Sequence, residues 1–339
     1  MIFTSRTPLR VSLFGGGTDY PEYFRDNPGA ALGFTIDKYI YISALPLTAM
    51  VDYRFRLGYS RIETVDHVRD IRHPVVRTVL ADEAAVEPTD YGVQADLPAS
   101  AGLGSSSAFT VGFQNLVWHM AGRCCTKMEL ARRAIHVERE MLKERVGVQD
   151  QLHASFGGLN RFDFRGDDIA VRPIDLAPDS LDALGRWFVL VYTGIKRHAS
   201  EVLDEQIKNT SEKKRDGELA AMRDIVDAAE AVIRGARDPH DIAPALAPLL
   251  AESWRLKRLL SSKVSGSEID DLYHACLAKG GLAGKLCGAG GGGFLLIIVP
   301  PERKPAFIEA MGRRRCVDIA IDRAGSTILQ AVAQGVGSE

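Results

Sequence analysis

Three glycine-bearing stretches and three carboxylates hold most of the chemistry this sequence can carry. In Leu97-Pro98-Ala99-Ser100-Ala101-Gly102-Leu103-Gly104-Ser105-Ser106-Ser107-Ala108, two glycines allow a sharp turn and close approach to a ligand, and the serines supply hydroxyls. An apolar segment of helical character, 108–121, follows at once. A helix entered this way offers unpaired N–H groups and the positive end of its dipole to a phosphate. The loop lacks the Lys-Ser/Thr ending of a Walker-A loop, and Ser107 stands where G-x-G-x-x-G needs its third glycine. A serine-rich cap on a buried helix would use the same residues, so the loop alone does not choose between capping and phosphate binding.

Asp19 follows the Gly15-Gly16-Gly17-Thr18 turn, where its carboxylate can accept two sugar hydroxyls or cap the turn. In 127–145, read as one helix, Glu138 continues the apolar stripe of Leu130, Ala131, Ala134, Ile135, Met141 and Leu142. It therefore points inward, as half of a structural ion pair or as a metal ligand. Arg139, Glu140, Lys143 and Glu144 fall off the stripe and read as solvated charges. Asp150, between Gly147 and Phe156-Gly157-Gly158, sits where a half-buried carboxylate can handle a proton or cap a helix. Lys196-Arg197-His198, after a strand over 186–193, can meet a phosphate or cap the helix expected over 199–214. Gly288, Gly290 and Gly293 match G-x-G-x-x-G by letter, but 294–299 reads as a strand, not the helix a dinucleotide fingerprint needs. The run 284–293 instead suits a backbone lying against another loop or a ligand.

The elements that position these groups read as strands over 8–14, 30–47, 53–59, 91–97, 159–164 and 169–174, with helices over 73–86, 108–121 and 127–145. A Pro/Asp link over 173–182 marks a candidate boundary, and 200–279 is almost wholly helical. The 339 residues suffice for two domains or one large divided core. With 42 basic against 44 acidic residues there is no global field for nucleic acid or a membrane, so charge selectivity must be local. The five cysteines show neither a C-x-x-C pair nor zinc spacing, and no apolar run approaches bilayer length. A soluble, cytoplasmic protein is expected, with neither nucleic-acid nor membrane partners.

The order and spacing of these signals resemble the GHMP small-molecule kinases. The resemblance runs through Arg10-Val11-x-Leu13-x-Gly15-x-x-Thr18-Asp19-Tyr20, Pro98-x-x-x-Gly102-Leu103-Gly104-Ser105-Ser106 and the glycine run near residue 290, and spans almost the whole chain. It implies an α/β (α+β) fold of two domains, 1–175 and 176–335, with a left-handed β-α-β unit in the first and the active site in the interdomain cleft. It implies ATP binding by Pro98, Ser100, Ala101, Gly102, Leu103, Gly104, Ser105, Ser106 and Ser107, and Mg²⁺ held by Ser106 and Glu138. The inward Glu138, found from periodicity, thus coincides with the implied metal position. Asp150, in a segment similar to the Gly-x-x-Asp-Gln of galactokinases, would be base or positioner for the acceptor hydroxyl, and Arg10 would neutralise charge beside it. The implied substrate-binding residues are Gly16, Gly17, Thr18, Asp19, Tyr20, Gly158, Lys196, Arg197, Gly290 and Gly291.

Galactokinases carry Gly-Glu-His-Thr-Asp-Tyr where this chain has Gly15-Gly16-Gly17-Thr18-Asp19-Tyr20, which argues against galactose. The opening from Arg6 to Asp19, Asp37-Lys38-Tyr39-Ile40-Tyr41 and Tyr192-Thr193-Gly194-Ile195-Lys196-Arg197 resemble the branch of the family that acts on heptose 7-phosphates. That branch phosphorylates the anomeric hydroxyl to a 1,7-bisphosphate, on the way to GDP-heptose for capsule, S-layer or lipopolysaccharide. Lys196 and Arg197 would then grip the 7-phosphate. A fucokinase-like or other free-sugar 1-kinase shares every ATP-side residue and lacks that grip. A non-catalytic sugar and ATP sensor belongs to another class, but Arg10, Ser106, Glu138 and Asp150 are all present, which favours an enzyme. The expected ligands are a sugar phosphate, ATP and Mg²⁺, and the resemblance leaves a homodimer open.

Overall fold

Strands β1 (Phe3–Phe14) and β2 (Gly29–Pro46) form a long antiparallel pair, joined by the Gly15–Tyr20 turn and the short helix α1 (Pro21–Phe24). Both strands are covered on both faces where the site is built: every residue from Thr7 to Phe14 and from Gly29 to Ile36 is buried. The computed structural model describes residues 1–83, 87–99, 101–195 and 199–329, without the side chains of residues 199–201. Lys196, Arg197 and Ser100, singled out above, lie outside the described residues.

The chain continues through β3 (Phe55–Gly58), β4 (Ile62–Val65), α2 (Pro74–Ala81), β5 (Thr89–Ala95), α3 (Ser105–Met120) and α4 (Lys127–His136). A π-helical turn (Val137–Met141), α5 (Gln149–Phe156), β6 (Leu159–Arg165) and β7 (Asp168–Pro173) complete this half. The second half holds α6 (Pro178–Gly185), β8 (Phe188–Tyr192), α7 (Ala199–Ser211), α8 (Asp216–Gly235), α9 (Pro239–Leu260) and α10 (Ser267–Ala278). It ends with β9 (Ala283–Leu286), β10 (Phe294–Ile298), α11 (Lys304–Met311), β11 (Cys316–Asp318) and β12 (Thr327–Leu329).

One sheet runs β12-β1-β2-β5-β3-β4, with β6 also on β2 and β7 on β6. β2 serves two partners in succession, pairing β6 through Gly29–Phe34 and β5 through Ile40–Pro46. β3 and β5 are parallel, with β4 and α2 in the crossover. The second sheet, β11-β8-β10-β9, is antiparallel throughout. The expected boundary at 175/176 falls between β7 and α6, yet the chain returns to the first sheet at its end. Ile36 bridges Ile321, Asp37 N–H donates to Ala320 O, and β12 pairs Thr4–Arg6 of β1.

Several elements differ from their sequence reading for identifiable reasons. The serines do not precede a helix starting at residue 108. Gly104, at φ 72°, supplies the N-cap, and Ser105–Ser107 are the first turn of α3. That helix is buried nearly all round, as its composition requires. The segment 127–145 is not one helix, because α4 stops at His136 and a π-turn follows. The helix expected over 73–86 ends at Ala81, and 84–86 lie outside the described residues. The 173–182 link holds the start of α6, where Pro178 takes the first-turn position that spares its missing N–H.

β12 stops at Arg6, and farther along β1 the loop before α3 engages the strand, where Arg10 N–H donates to Leu103 O at 3.0 Å. The same loop lies backbone against backbone on the glycine run, as the sequence suggests. A Cβ on Gly288 (φ 69°) would stand 2.6 Å from Gly102 Cα, and one on Gly102 (φ 77°) 2.5 Å from Cys287 O. Gly288→Ala should therefore cost about 2–4 kcal/mol in urea unfolding, against about 1 kcal/mol for Gly166→Ala. Gly166 shares the positive φ but has nothing within 4 Å. Equal losses at the two positions would contradict the close approach of the loops.

Candidate functional site

The two loops, the Gly15–Tyr20 turn, and residues from α5, α7, α9 and β9 enclose a cleft of about 430 Å³. It is lined by Arg10, Gly16, Gly17, Asp19, Tyr20 and Asp150, and by Gly102, Gly104, Ser105 and Ser106. The strand end, the turn, the serine loop and the start of α5, far apart in sequence, thus meet at one place.

Arg10 is the hub. Its Nε donates to Asp150 Oδ1 at 2.7 Å and its Nη2 to Asp150 Oδ2 at 2.6 Å, while Nη1 donates to Gly102 O at 2.6 Å. One buried guanidinium therefore fixes a carboxylate in a two-point geometry and ties the serine loop to it. Burial opposes the charge on Arg10, but the Asp150 carboxylate outweighs it and holds the guanidinium above its ordinary value. Asp150 does not cap α5, whose N-cap is Val148; it sits in the first turn with its side chain 25% exposed to the cleft.

Asp19 caps the turn and stands at the cleft. Its Oδ1 accepts from Gly17 N–H at 2.9 Å, holding the turn, and its carboxylate also lines the cleft. Burial pushes its pKa up, against the Gly17 hydrogen bond, and the nearby Asp150 adds to the rise. Tyr20 shares this environment and is raised well above the ordinary phenol value by burial and by Asp19. Thr18 is fully buried and does not line the cleft; its hydroxyl accepts from Ala30 N–H (3.0 Å) and donates to Gly15 O (2.8 Å).

Glu138 points inward, as the stripe requires, and is 1% exposed. Ser107 Oγ donates to its Oε2 at 2.9 Å and Gln151 Nε2 donates to the same oxygen at 2.5 Å. Its Oε1 has no hydrogen-bond partner, and it makes no ion pair among the described residues. Burial pushes its pKa up to about 7, although the Ser107 and Gln151 hydrogen bonds pull it down. Ser106 faces the cleft from the same helical turn as Ser107. Arg139, read as solvated, is half-buried instead: it donates to Glu22 Oε1 at 3.0 Å and to Val146 O.

Other sequence candidates lie outside the cleft lining. Leu103 and Ala101 are buried behind the loop, and Pro98 is exposed. Gly158 N–H donates to Thr35 Oγ1 and Asp322 O, and Gly291 N–H to Val264 O, with Gly290 packed against the same Val264 backbone. Conversely, Ser12, Gln149, Gln206, Lys257 and Lys285 line the cleft without having been singled out. Ser12 Oγ and Gln149 Oε1 are buried and have no hydrogen-bond partner among the described residues. Lys257 carried a readable signal, since it shares the buried face of α9 with Leu250, Trp254 and Leu260.

Residues 71–158 match the GHMP kinases N terminal domain and residues 241–318 the GHMP kinases C terminal family. The chain is 29% identical to the D-glycero-alpha-D-manno-heptose 7-phosphate kinase of Campylobacter jejuni, over 92% of this chain and 93% of that protein. A galactokinase of Thermotoga maritima is 27% identical over 45% of this chain and 43% of its own length. The crystal structure of a D-glycero-D-manno-heptose 1-phosphate kinase from Bacteroides thetaiotaomicron superposes with TM-score 0.78 at 21% identity, covering 98% of this chain and 100% of the other. That likeness extends to both halves of the fold. With both of the family's domains present in order, the chain belongs to the GHMP kinases.

Proposed function

We propose that the chain transfers the γ-phosphoryl group of ATP to the anomeric hydroxyl of D-glycero-D-manno-heptose 7-phosphate, giving the 1,7-bisphosphate. The observation that carries the reading is one cleft holding the Arg10–Asp150 pair between the Gly16–Asp19 turn and the Gly104–Ser106 helix start. In this reading the acceptor O–H donates its proton to Asp150 as its oxygen bonds to the γ-phosphorus. The bond from that phosphorus to the β,γ-bridging oxygen breaks, and ADP leaves. A loose transition state asks little of a base, so the fixed orientation that Arg10 imposes on Asp150 matters as much as proton transfer. Ser105, Ser106 and the exposed N–H groups of the α3 first turn supply donors for the phosphates.

The acceptor side supports a polyhydroxyl ligand, because Ser12 Oγ and Gln149 Oε1 are buried cleft groups with no partner among the described residues. Gly16 leaves room where galactokinases place a side chain, since a Cβ there would meet only Ser12 Oγ at 3.5 Å and Gln149 Nε2 at 3.6 Å. The heptose is supported by the likeness to the Campylobacter jejuni enzyme along almost its full length. The product class would feed GDP-heptose for a surface polysaccharide. As for Mg²⁺, Glu138 offers a buried carboxylate oxygen with no partner among the described residues, and Ser106, next to the Ser107 that contacts Glu138, offers a hydroxyl at the cleft; hard oxygens of this kind suit the ion. Glu138 and Ser106 would hold it, and it would neutralise charge on the β- and γ-phosphates.

Two measurements test the reading. Turnover of ATP with heptose 7-phosphate, heptose 1-phosphate, free heptose, fucose and mannose should favour the 7-phosphate, with phosphorus NMR locating the new phosphate on C1. A terminal phosphate contact worth about 1.5–3 kcal/mol puts the free heptose roughly ten- to a hundredfold behind. Equal turnover of free sugars, a product phosphorylated elsewhere, or no turnover at all would overturn it.

The second measurement concerns Glu138. Its folded pKa lies above its unfolded value, so the native state holds the extra proton between about pH 4.5 and 7. Metal-free protein should lose stability as pH rises through that window, by up to about 3 kcal/mol. In thermal melts, Glu138→Gln should flatten this decline and remove the stabilisation that Mg²⁺ alone gives wild type at pH 8. A variant that responds to pH and Mg²⁺ as wild type does would take Glu138 out of the metal site.

A further inference from the structure

Two cations of the cleft have no part in the transfer as described. Lys257, on α9, is 7% exposed and Lys285, in the middle of β9, is 2% exposed, yet both line the cleft beside Gly17, Gly102 and Gly288. Lys285 Nζ donates to Leu13 O at 2.8 Å, and Lys257 Nζ donates to Leu286 O at 2.9 Å and to Gly288 O. An ammonium has three N–H donors, so two on Lys285 and one on Lys257 lack a protein acceptor among the described residues. Neither lysine makes an ion pair there.

Carbonyl acceptors alone do not explain this arrangement. A neutral amide would serve Leu13, Leu286 and Gly288 equally well, without burying two like charges side by side. The charged and titratable groups that bear on the pair are Arg10, Asp19 and Cys287, besides the lysines themselves. Burial, reinforced by Lys285, holds Lys257 well below the ordinary ammonium value, and burial with Arg10 brings Lys285 down to about 8. Without a ligand the pair is short of negative charge. Its place is the junction of the two loops, since the Gly288 that accepts from Lys257 is the residue packed on Gly102.

We propose that Lys257 and Lys285 form a second phosphate-binding wall in the cleft, and that the terminal phosphates of ATP supply the anion they lack. The pair would hold the transferring group from the glycine-run side while the α3 first turn holds it from the serine side. This rests on the kinase reading above but not on the identity of the acceptor sugar.

ATP without metal is the probe, titrated calorimetrically at pH 8 in buffers of different ionisation enthalpy. An anion arriving at depressed lysines raises their pKa, so wild type should take up about half a proton or more per ATP bound. Lys257→Gln and Lys285→Gln keep donors for the carbonyls and drop the charge. Each should bind ATP ~10- to 100-fold more weakly with reduced proton uptake, and the Lys→Arg variants should recover affinity. Gln variants that melt like wild type and bind ATP with unchanged affinity and uptake would overturn the proposal. Should the Gln variants not fold, wild type decides: ATP binding without proton uptake also overturns it. A wild type that does not bind ATP at all would instead bring down the kinase reading itself.

Discussion

The two-point contact between Arg10 and Asp150 is the constraint around which the rest of the molecule is arranged. Arg10 is planar and always charged, so pairing both carboxylate oxygens at 2.6 and 2.7 Å fixes the plane of Asp150 as well as its position. The third contact, to Gly102 O, makes the serine loop part of the same unit. Removing Asp150 would leave the buried Arg10 guanidinium unmatched, and removing Arg10 would free a carboxylate that is 25% exposed to the cleft, the smaller loss of the two. The surrounding fold answers to that demand. β1 presents Arg10 from a strand covered on both faces, and α5 presents Asp150 from its first turn, just beyond the segment that carries Glu138.

The second constraint is the contact between two backbones. The serine loop and the glycine run belong to different halves of the chain, yet Gly102 and Gly288 pack too closely for a Cβ on either. Phe294 N–H donating to Ala101 O at 3.2 Å continues the contact. The cleft is therefore built from both sheets at once, and Lys285 bridges them again by reaching from β9 to Leu13 O of β1. The charges collected there, three buried cations with two aspartates, leave a surplus of positive charge facing an anionic ligand. Such a site is stabilised by what it binds, and its cations carry shifted pKa values until it does.

Much of the site was legible because its residues stand at fixed offsets in short segments. Arg10, Asp19 and the Gly102–Ser106 loop could be read as motifs, and Glu138 could be found without one, from an apolar stripe that an acid interrupts. What the sequence hid has physical causes. Whether Ser106 or Ser107 meets Glu138 depends on where α3 begins, which is set by the left-handed Gly104. The π-turn after His136 is one residue's worth of helical slippage, invisible to a 3.6-residue period read over so short a span. Lys257 escaped notice because lysine is normally a solvated residue. The stripe argument that located Glu138 would have located it as well, since it lies three residues from Trp254 and from Leu260. β12 was unreadable for another reason: Thr327–Leu329 is three residues long, and only its partner β1 makes it a strand.

Whether Arg10 and Asp150 act as one unit upon the acceptor is read most directly by a double-mutant cycle on kcat. Arg10→Gln, Asp150→Asn and the double variant would be compared with wild type, with ATP binding measured in each. For a coupled pair, Asp150→Asn lowers kcat by roughly 10²–10⁴-fold with ATP binding retained, and the double variant is little worse than the poorer single variant. Near-normal turnover of Asp150→Asn, or losses that simply multiply in the double variant, would contradict joint action of the pair.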